Sequence, residues 1–344
     1  MYNVSEYTTN VQYLHKCAME KGDHMEMKDD KRLLIKICKM YYEEDLTQSQ
    51  IAKATGIYRT TVGRMLKKAR EEGIVKITID DHVGAHYDLE RQLEQLLGLR
   101  EVYICETNPG QAEEEKKKIV GKAGADILKR VVKDGDTVGF AWGTTMAGMI
   151  GEFHGVKKRS ASFVPLVGGP GAMDTKYHVN SIVYSIASDF GGTPHFIDAA
   201  AVVEKKETKD EIVKSHYFKK IENLWNSLTV AAVGIGAPLS SSNMIWTGFY
   251  GDQDMECLKE KHAVGDICSR FFDRTGQLIE TEINDRTIAI DINRLKNLEY
   301  SIGLAESHEK VPSIIGAAKG GYINILVTTA ETAREIAEEV KNQK

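Results

Sequence analysis

The sequence predicts a small N-terminal all-α domain of helix-turn-helix type joined to a larger C-terminal α/β domain. Three observations predict it. The stretch TQSQIAKATGIYRTTVGRMLKKAREEG, Thr47 to Gly73, sets apolar residues, a glycine and cations at the spacing of two short helices around a tight turn. From about residue 100, short apolar β-rich runs that end in small residues alternate with helical stretches. A length of 344 residues exceeds one ordinary core, so two domains of unequal size are expected.

Composition narrows the class. Apolar content of 42% and charged content of 28% are those of a globular chain. A net charge of −5 excludes a general polyanion binder, yet the charge is uneven. Between Asp29 and Asp80 eleven Lys/Arg face eight Asp/Glu, a balance of +3 that leaves −8 for the rest. A basic module on an acidic body suits nucleic-acid contact by one part only. Cys17, Cys38, Cys105, Cys257 and Cys268 are odd in number and far apart, without a CxxC pair. That argues against a disulfide framework or a metal site and for a reducing compartment. No apolar run approaches the ~20 residues that cross a bilayer, and MYNVSEYTTNVQYLHKC lacks a signal-peptide core. A cytoplasmic location with no membrane partner is expected. Residues 1–28 show no period and receive no role; Met25 and Met27 are alternative starts.

Residues 29–80 form the expected DNA-binding domain. In KDDKRLLIKICKMYYEEDL, Leu33, Leu34, Ile37, Met40 and Tyr41 share one face at helical spacing. A break at Glu43–Leu46 follows, and Thr47 is placed to cap a second helix. Counted from Gln48, Ile51 and Ala52 stand at positions 4 and 5, Gly56 at 9 and Val62 at 15. Ala52 lets two helices cross closely, Gly56 suits the left-handed conformation of a tight turn, and Ile57 and Val62 close the shared core. The next helix turns Tyr58, Arg59, Thr60, Thr61 and Arg64 outward, with Lys67, Lys68 and Arg70 further along. Such a helix lies in a major groove with its first turns at base edges and its cations at phosphates. Gln48, Tyr58, Arg59, Thr60, Thr61, Arg64, Lys67 and Lys68 are therefore the candidate contacts to double-stranded DNA. Gly73 is placed as a C′ glycine, and IVKITID after it alternates like a strand and is the expected wing. The competing reading is an ordinary αα-hairpin with a solvated basic face.

Residues 81–99 read as a linker helix. YDLERQLEQLLGL puts Leu89, Leu93 and Leu96/Leu97 on one stripe, with Glu90, Arg91 and Glu94 outside. The stripe either pairs with a partner subunit or packs on the following domain, and at under two heptads packing is favoured.

Residues 100–344 carry the α/β rhythm: VYIC, a helix through EEEKKKIVGKAGADILKRVV, DTVGFAWG, a helix from TTMAGMI, SFVPLVGG, a helix NSIVYSIASDFGG, then PHFIDAAAVV, LTVAAVGIGAP and YSIGLAES. Ligands of such sheets sit at loops beyond the C-terminal ends of the strands. In GFAWGTTMAGM, Gly143 turns the chain and Thr144 and Thr145 open a helix, where N–H groups and hydroxyls make either an anion site or a plain cap. It is not a Walker A sequence, and no cofactor is implied. Gly168 and Gly169 of VPLVGGPGAMD allow close backbone approach or simply turn the chain, and Gly234 and Gly236 of VGIGAPLSSSN share that ambiguity. In HAVGDICSRFFDRTG, Asp273 reads as turn chemistry and Asp266, ahead of an apolar strand, as the acceptor for ligand hydroxyls. Lys310 stands at a helix start, either as a surface lysine or opposite a bound phosphate.

These pieces, in their order, resemble the SorC family of bacterial transcriptional regulators, which respond to sugar phosphates. The resemblance covers about residues 29–342 and rests on TQSQIAKATGIYRTTVGRMLKKAREEGIVKI, FAWGTTM, VPLVGG, VGIGAP, AVGDICSRFFDRTG and IGAAKGGYINILVTTAETA. It implies a winged helix-turn-helix followed by an effector domain with a Rossmann-type sheet. That domain is similar in fold to glucosamine-6-phosphate and ribose-5-phosphate isomerases, without their catalysis. It further implies a homodimer or homotetramer on operator DNA whose binding a phosphorylated sugar alters. Carried over by position, Gly143, Thr144, Thr145 and Lys310 would hold phosphate, Gly168 and Gly169 would line the site, and Asp266 would accept sugar hydroxyls. Five positions depart from the family. Tyr58 and Gly63 stand where the recognition helix usually carries Ser, and Thr329 replaces an aspartate but can still cap the last helix. Glu306-Ser307 replaces a common Gly-Gly before Lys310. Glu306 near a phosphate would repel it; it either turns outward or accepts hydroxyls from a less charged effector.

Two functions of different class follow. One is an effector-gated DNA-binding regulator with no catalytic residue. The other is a sugar-phosphate isomerase fused to a DNA-binding module, for which Asp266, Glu306 and His308 are the available acid–base groups.

Overall fold

The computed structural model describes residues 27–78, 86–108, 110–171, 173–239 and 251–342. The extension expected over residues 1–28 falls, up to residue 26, outside the described residues. The chain divides into two compact units, Met1–Ala85 and His86–Lys344.

The smaller unit holds α1 (Met27–Tyr42), α2 (Gln48–Thr55) and α3 (Arg59–Glu71). Leu34, Ile37 and Met40 of α1 meet Ile51 of α2 and Val62, Leu66 and Ala69 of α3 in one core, with Ala52 and Ile57 packed at its margin. Thr47 caps α2 through a capping box: its hydroxyl accepts the Gln50 N–H, and the Gln50 side chain accepts the Thr47 N–H at 2.9 Å. Gly56 ends α2 at φ 74°, which makes the turn into α3 tight. Ile74 to Thr78 form no strand, which corrects the expected wing strand over its described part; residues 79 and 80 lie outside it. The physical reason is a competing partner. Val75 N–H bonds the Ala69 carbonyl of α3 at 3.0 Å, and Ile74 and Val75 pack on the head's core.

The larger unit runs α4 (Tyr87–Leu97), β1 (Glu101–Cys105), α5 (Glu113–Val131), β2 (Thr137–Phe140), α6 (Thr144–Ala147), β3 (Ser162–Pro165), α7 (Val179–Phe190) and β4 (Thr193–Pro194). It continues through α8 (Lys206–Lys214), α9 (His216–Asn226), β5 (Val230–Gly234), α10 (Asp252–Glu260), β6 (Gly265–Ile267), β7 (Arg270–Phe272) and α11 (Glu282–Arg286). It closes with β8 (Tyr300–Leu304), α12 (Val311–Lys319), β9 (Ile325–Thr329) and α13 (Ala330–Asn342). Seven strands form one parallel sheet in the order β1-β9-β8-β5-β2-β3-β4, and β6 and β7 form an antiparallel hairpin.

Alternation along the strands feeds two cores. Ala231, Val233 and Leu326 face one, together with α4, α9, α12 and α13. Val230, Ala232, Ile325 and Val327 face the other, with α5 and α7. A parallel sheet so covered needs near-continuous apolar strands, which is what β5 and β9 are.

The linker stripe packs within this unit: Leu93 and Leu97 of α4 are buried in its core. Glu90 and Glu94 do not face outward as expected. Their carboxylates accept the N–H groups of Ile104 at 2.9 Å and Val102 at 3.3 Å, and so satisfy the free edge of β1. PHFIDAAAVV contributes only Pro194 to the two-residue strand β4, after which Ala200 and Val202 form single bridges to Gly169 and Thr287.

The helix expected over TTMAGMI is only four residues long. Gly148 ends it because its backbone lies against α5: a Cβ on Gly121 would meet the Gly148 carbonyl carbon at 2.5 Å. This glycine contact sets where α6 stands. Gly121→Ala is expected to lower stability by about 1–3 kcal/mol through overpacking, although alanine is the better helix former. Thermal denaturation measures it, and an unchanged or raised melting temperature would show that the two backbones are not in contact.

Candidate functional site

On the smaller unit, α3 presents Tyr58, Arg59, Thr60, Arg64, Lys67 and Lys68 to solvent, with Thr61 and Gln48 half-buried beside them. Tyr58 is the N-cap residue of α3 and is 84% exposed, with no capping bond from its side chain. The Arg64 guanidinium lies 3.5 Å from the Thr61 hydroxyl. Lys67 and Lys68 pair with Glu71 and Glu72 one turn on, at 3.7 and 3.8 Å. Exposed pairs of this kind contribute little and exchange readily for other anions. Arg59 and Arg64 are thus the less encumbered cations of the face, and both stand in the first two turns of the helix.

On the larger unit, the chain leaves β2 toward β3 on one side and β5 toward β8 on the other, although β2 and β5 are neighbours. Their connections diverge and leave a crevice beyond the strand ends, the place where open α/β sheets bind ligands. A pocket lies there. Ala141 to Met146 line it after β2, Val167 after β3, Gly234 to Gly236 after β5 and Leu304 at the end of β8. Asp266, Cys268 and Ser269 of the β6–β7 hairpin and Lys310 before α12 complete it. Gly143, Thr144, Thr145, Asp266 and Lys310, expected from the sequence, therefore converge on one pocket.

The turn after β2 explains its glycine. Gly143 sits at φ 140°, a conformation other residues avoid, and leads directly into the first turn of α6. Gly236 has a different reason: a Cβ there would fall 2.1 Å from Asp266 Oδ1. Two backbone bonds, Gly236 N–H to Asp266 O at 2.9 Å and Asp266 N–H to Gly236 O at 3.2 Å, hold the loop after β5 against the hairpin. Cys268 and Ser269 form the hairpin's two-residue turn at φ 53° and 60°. Such turns favour Asn and Gly, so backbone strain is held at the pocket's wall.

Glu306 does not itself line the pocket; it is turned inward against Thr145, which does. It is 3% exposed, and the Thr145 hydroxyl donates toward both its carboxylate oxygens, at 3.2 and 3.4 Å. Burial raises its pKa, against the opposing pull of the Lys310 and Lys117 ammoniums and the Thr145 hydroxyl. Burial also pushes Asp266 up to about 6, opposed by the Ser269 backbone N–H and by Lys310. Its Oδ1 and the indole N–H of Trp142 are buried without a hydrogen-bond partner among the described residues.

Gly168 and Gly169 do not line the pocket. Their N–H groups bond Ile288 and Ala199 carbonyls at 2.9 and 2.8 Å, and a Cβ on either would strike the Ala200 backbone or the His178 ring. Close packing of loop on loop accounts for them. Asp273 is turn chemistry: its carboxylate accepts the N–H groups of Thr275 and Gln277. Thr329 accepts the Thr332 N–H at 3.4 Å at the start of α13. Trp142, Cys268 and Ser269 were not singled out by sequence reasoning; the positive φ values of the last two carry no sequence signature. Among the described residues no cluster of His, Cys, Asp and Glu suits a metal.

Comparison with known proteins places this geometry. Residues 81–338 match the family described as "Putative sugar-binding domain", and residues 36–76 match "Winged helix-turn-helix DNA-binding". The chain is 40% identical over 311 residues to the sorbitol operon regulator of Klebsiella pneumoniae, covering 90% of this chain and 98% of that one. It is 30% identical over 313 residues to the deoxyribonucleoside regulator of Bacillus subtilis, covering 91% and 99%. The crystal structure of the full-length sorbitol operon regulator SorC from Klebsiella pneumoniae superposes with a TM-score of 0.71 at 39% identity, over 91% of this chain and 100% of that one.

Asp266 gives the pocket a pH signature. Its folded pKa of about 6 lies above its ordinary 3.8, so the folded chain holds the proton more tightly than the unfolded one. The stabilising contribution is complete below about pH 4 and is lost as pH rises through 6. Asp266→Asn is expected to stabilise the protein by roughly 2–3 kcal/mol at pH 8, with the gain vanishing as pH falls to about 4. Melting temperatures of both proteins across that range check it; a difference independent of pH would mean Asp266 is ionised at little cost.

Proposed function

The chain belongs to the SorC family of transcriptional regulators, and from that premise we propose that it binds operator DNA through α3 under the control of a sugar-class effector. The effector sits in the pocket beyond β2 and β5. The observation that carries this reading is the convergence of loops from β2, β3, β5 and β8 on one polar pocket, in a chain that also carries an intact capped helix-turn-helix. Gly143, Thr144, Thr145 and Lys310 form the anchoring end of the site, and Asp266 accepts hydroxyls. A phosphorylated sugar is the effector that family resemblance implies, and its phosphate would lie beside Glu306. The relatives' names supply the class of process: a sorbitol operon in one, deoxyribonucleosides in the other.

Tyr58, Arg59, Thr60, Thr61 and Arg64 meet base edges and nearby phosphates, and Gln48, Lys67 and Lys68 the flanking backbone. A homodimer or homotetramer supplies paired reading helices for half-sites about one helical turn, ~34–36 Å, or a multiple apart. The protein works in the cytoplasm, as a regulator and not as an isomerase. His308 supports this: its ring is 83% exposed and pairs with Glu335 at 2.9 Å outside the pocket, so it serves no proton transfer there. Among the described residues no helix is long and apolar enough to cross a membrane.

Fluorescence anisotropy with a duplex from the chain's own promoter region tests the reading. Arg64→Ala is expected to weaken binding about tenfold or more and to flatten the salt dependence by about one ion, with the melting temperature unchanged. Lys310→Ala is expected to bind DNA like the parent and to lose the response to effector. A parent protein that ignores the duplex at low salt, with and without sugars, would end the proposal.

A further inference from the structure

We propose that the Glu306 carboxylate occupies the anion position of the β2–α6 turn and restricts the effector to one that presents hydroxyl groups there, an uncharged sugar or polyol. The inference rests on the sugar-effector reading above and names the chemical class of that effector.

The first observation is that the turn's anion-binding hydroxyl is already engaged. Thr145 is 5% exposed, and its hydroxyl points at both oxygens of Glu306. The loop that delivers Glu306 is fixed. Ser307 is held at φ 104°, and its N–H donates to the Thr332 hydroxyl of α13 at 3.0 Å. Ser307 thus keeps a backbone conformation that favours glycine, while its neighbour Glu306 sets a buried carboxylate against Thr145.

The second observation is the charge count of the enclosure. Two buried carboxylates, Asp266 and Glu306, already face Lys310, and Lys117 is shared with Glu113 and Glu114 at 3.9 and 3.3 Å. A phosphate monoester adds about −1.5 to −2 more, beside a carboxylate that solvent does not screen.

The third observation is the pattern of unmet hydrogen bonds. Asp266 Oδ1 is a buried acceptor and Trp142 Nε1 a buried donor, both in pocket-lining residues and both without a partner among the described residues. Hydroxyl groups donate and accept, so a sugar or polyol satisfies both kinds of group without bringing further negative charge to the enclosure.

The test uses full-length protein and its promoter duplex. Calorimetry and thermal shift are run with tetritols, pentitols, hexitols, pentoses and hexoses, each beside its terminal phosphate monoester, and with inorganic phosphate. The parent is expected to bind at least one uncharged member, with a change in operator affinity, and its phosphate ester about tenfold or more weakly. In Glu306→Gly, and in the isosteric Glu306→Gln should the glycine variant fold poorly, that ratio is expected to move about tenfold or more toward the ester. A parent that binds an ester more tightly than its free counterpart, or a ratio that neither variant moves, overturns the inference and leaves the regulator reading intact. If no member of either series shifts melting or operator binding, the effector reading itself falls, and this inference with it.

Discussion

The larger unit depends on one topological constraint. Parallel strands need crossovers, crossovers cover the faces of the sheet, and the chain must reverse direction of winding somewhere. Here the reversal falls between β2 and β5, which lie side by side while β3 continues one half and β8 the other. The loops that leave those strands, together with the β6–β7 hairpin, supply the pocket's walls. The glycines follow from the crowding this creates. Gly121 and Gly148 let α5 and α6 touch, and Gly236 clears room for the Asp266 carboxylate. Each removes a side chain where backbone or carboxylate must pass.

Where local chemistry decides, the sequence was legible. Thr47, Gly56, Ile51 and Val62 report a capped helix, a left-handed turn and a two-helix core, and the structure forms them from those residues. The alternating rhythm after residue 100 reports a parallel sheet because each strand must be apolar on both faces. Features decided by a distant partner were not legible. Ile74 and Val75 look like a strand, yet the Ala69 carbonyl takes the backbone that a strand partner would need. Glu90 and Glu94 look solvated, since nothing in a helical wheel shows the unpaired N–H groups of β1 opposite them. Gly168 and Gly169 look like ligand glycines, and only the Ala200 backbone and the His178 ring explain them otherwise. Glu306 was legible as a departure, but its direction was not; that depends on Thr145, which lies 161 residues earlier.

Strain gathers around the same pocket. Of the five described non-glycine residues at positive φ, Cys268 and Ser269 line it and Ser307 adjoins Glu306. Each such conformation costs on the order of 1–3 kcal/mol and persists only when its surroundings determine it. The hairpin is tied to Gly236 by two backbone bonds, and the Ser307 N–H to the Thr332 hydroxyl by one hydrogen bond. Two carboxylates whose ionisation burial opposes stand among these residues. A ligand that donates hydrogen bonds to the carboxylates gains from that, and its binding free energy is available to shift a conformational equilibrium.

Where that shift is delivered can be argued from contacts. Glu306 adjoins Ser307, Ser307 is held by Thr332, and Thr332 is buried in α13. Buried residues of α13 and of α4 share one apolar core, and α4 also bonds the edge of β1 through Glu90 and Glu94. In chain order α4 is the first described helix after the DNA-reading unit. Contiguity alone is not coupling. Coupling requires two arrangements of these groups that differ in effector affinity, and the Thr145–Glu306 bond is the contact on this path that the proposed effector would alter. An effector that inserts a hydroxyl between them separates the β2 turn from the loop after β8. One that binds without touching them leaves the loop, Thr332 and α13 as they were and shifts nothing, however tightly it is held.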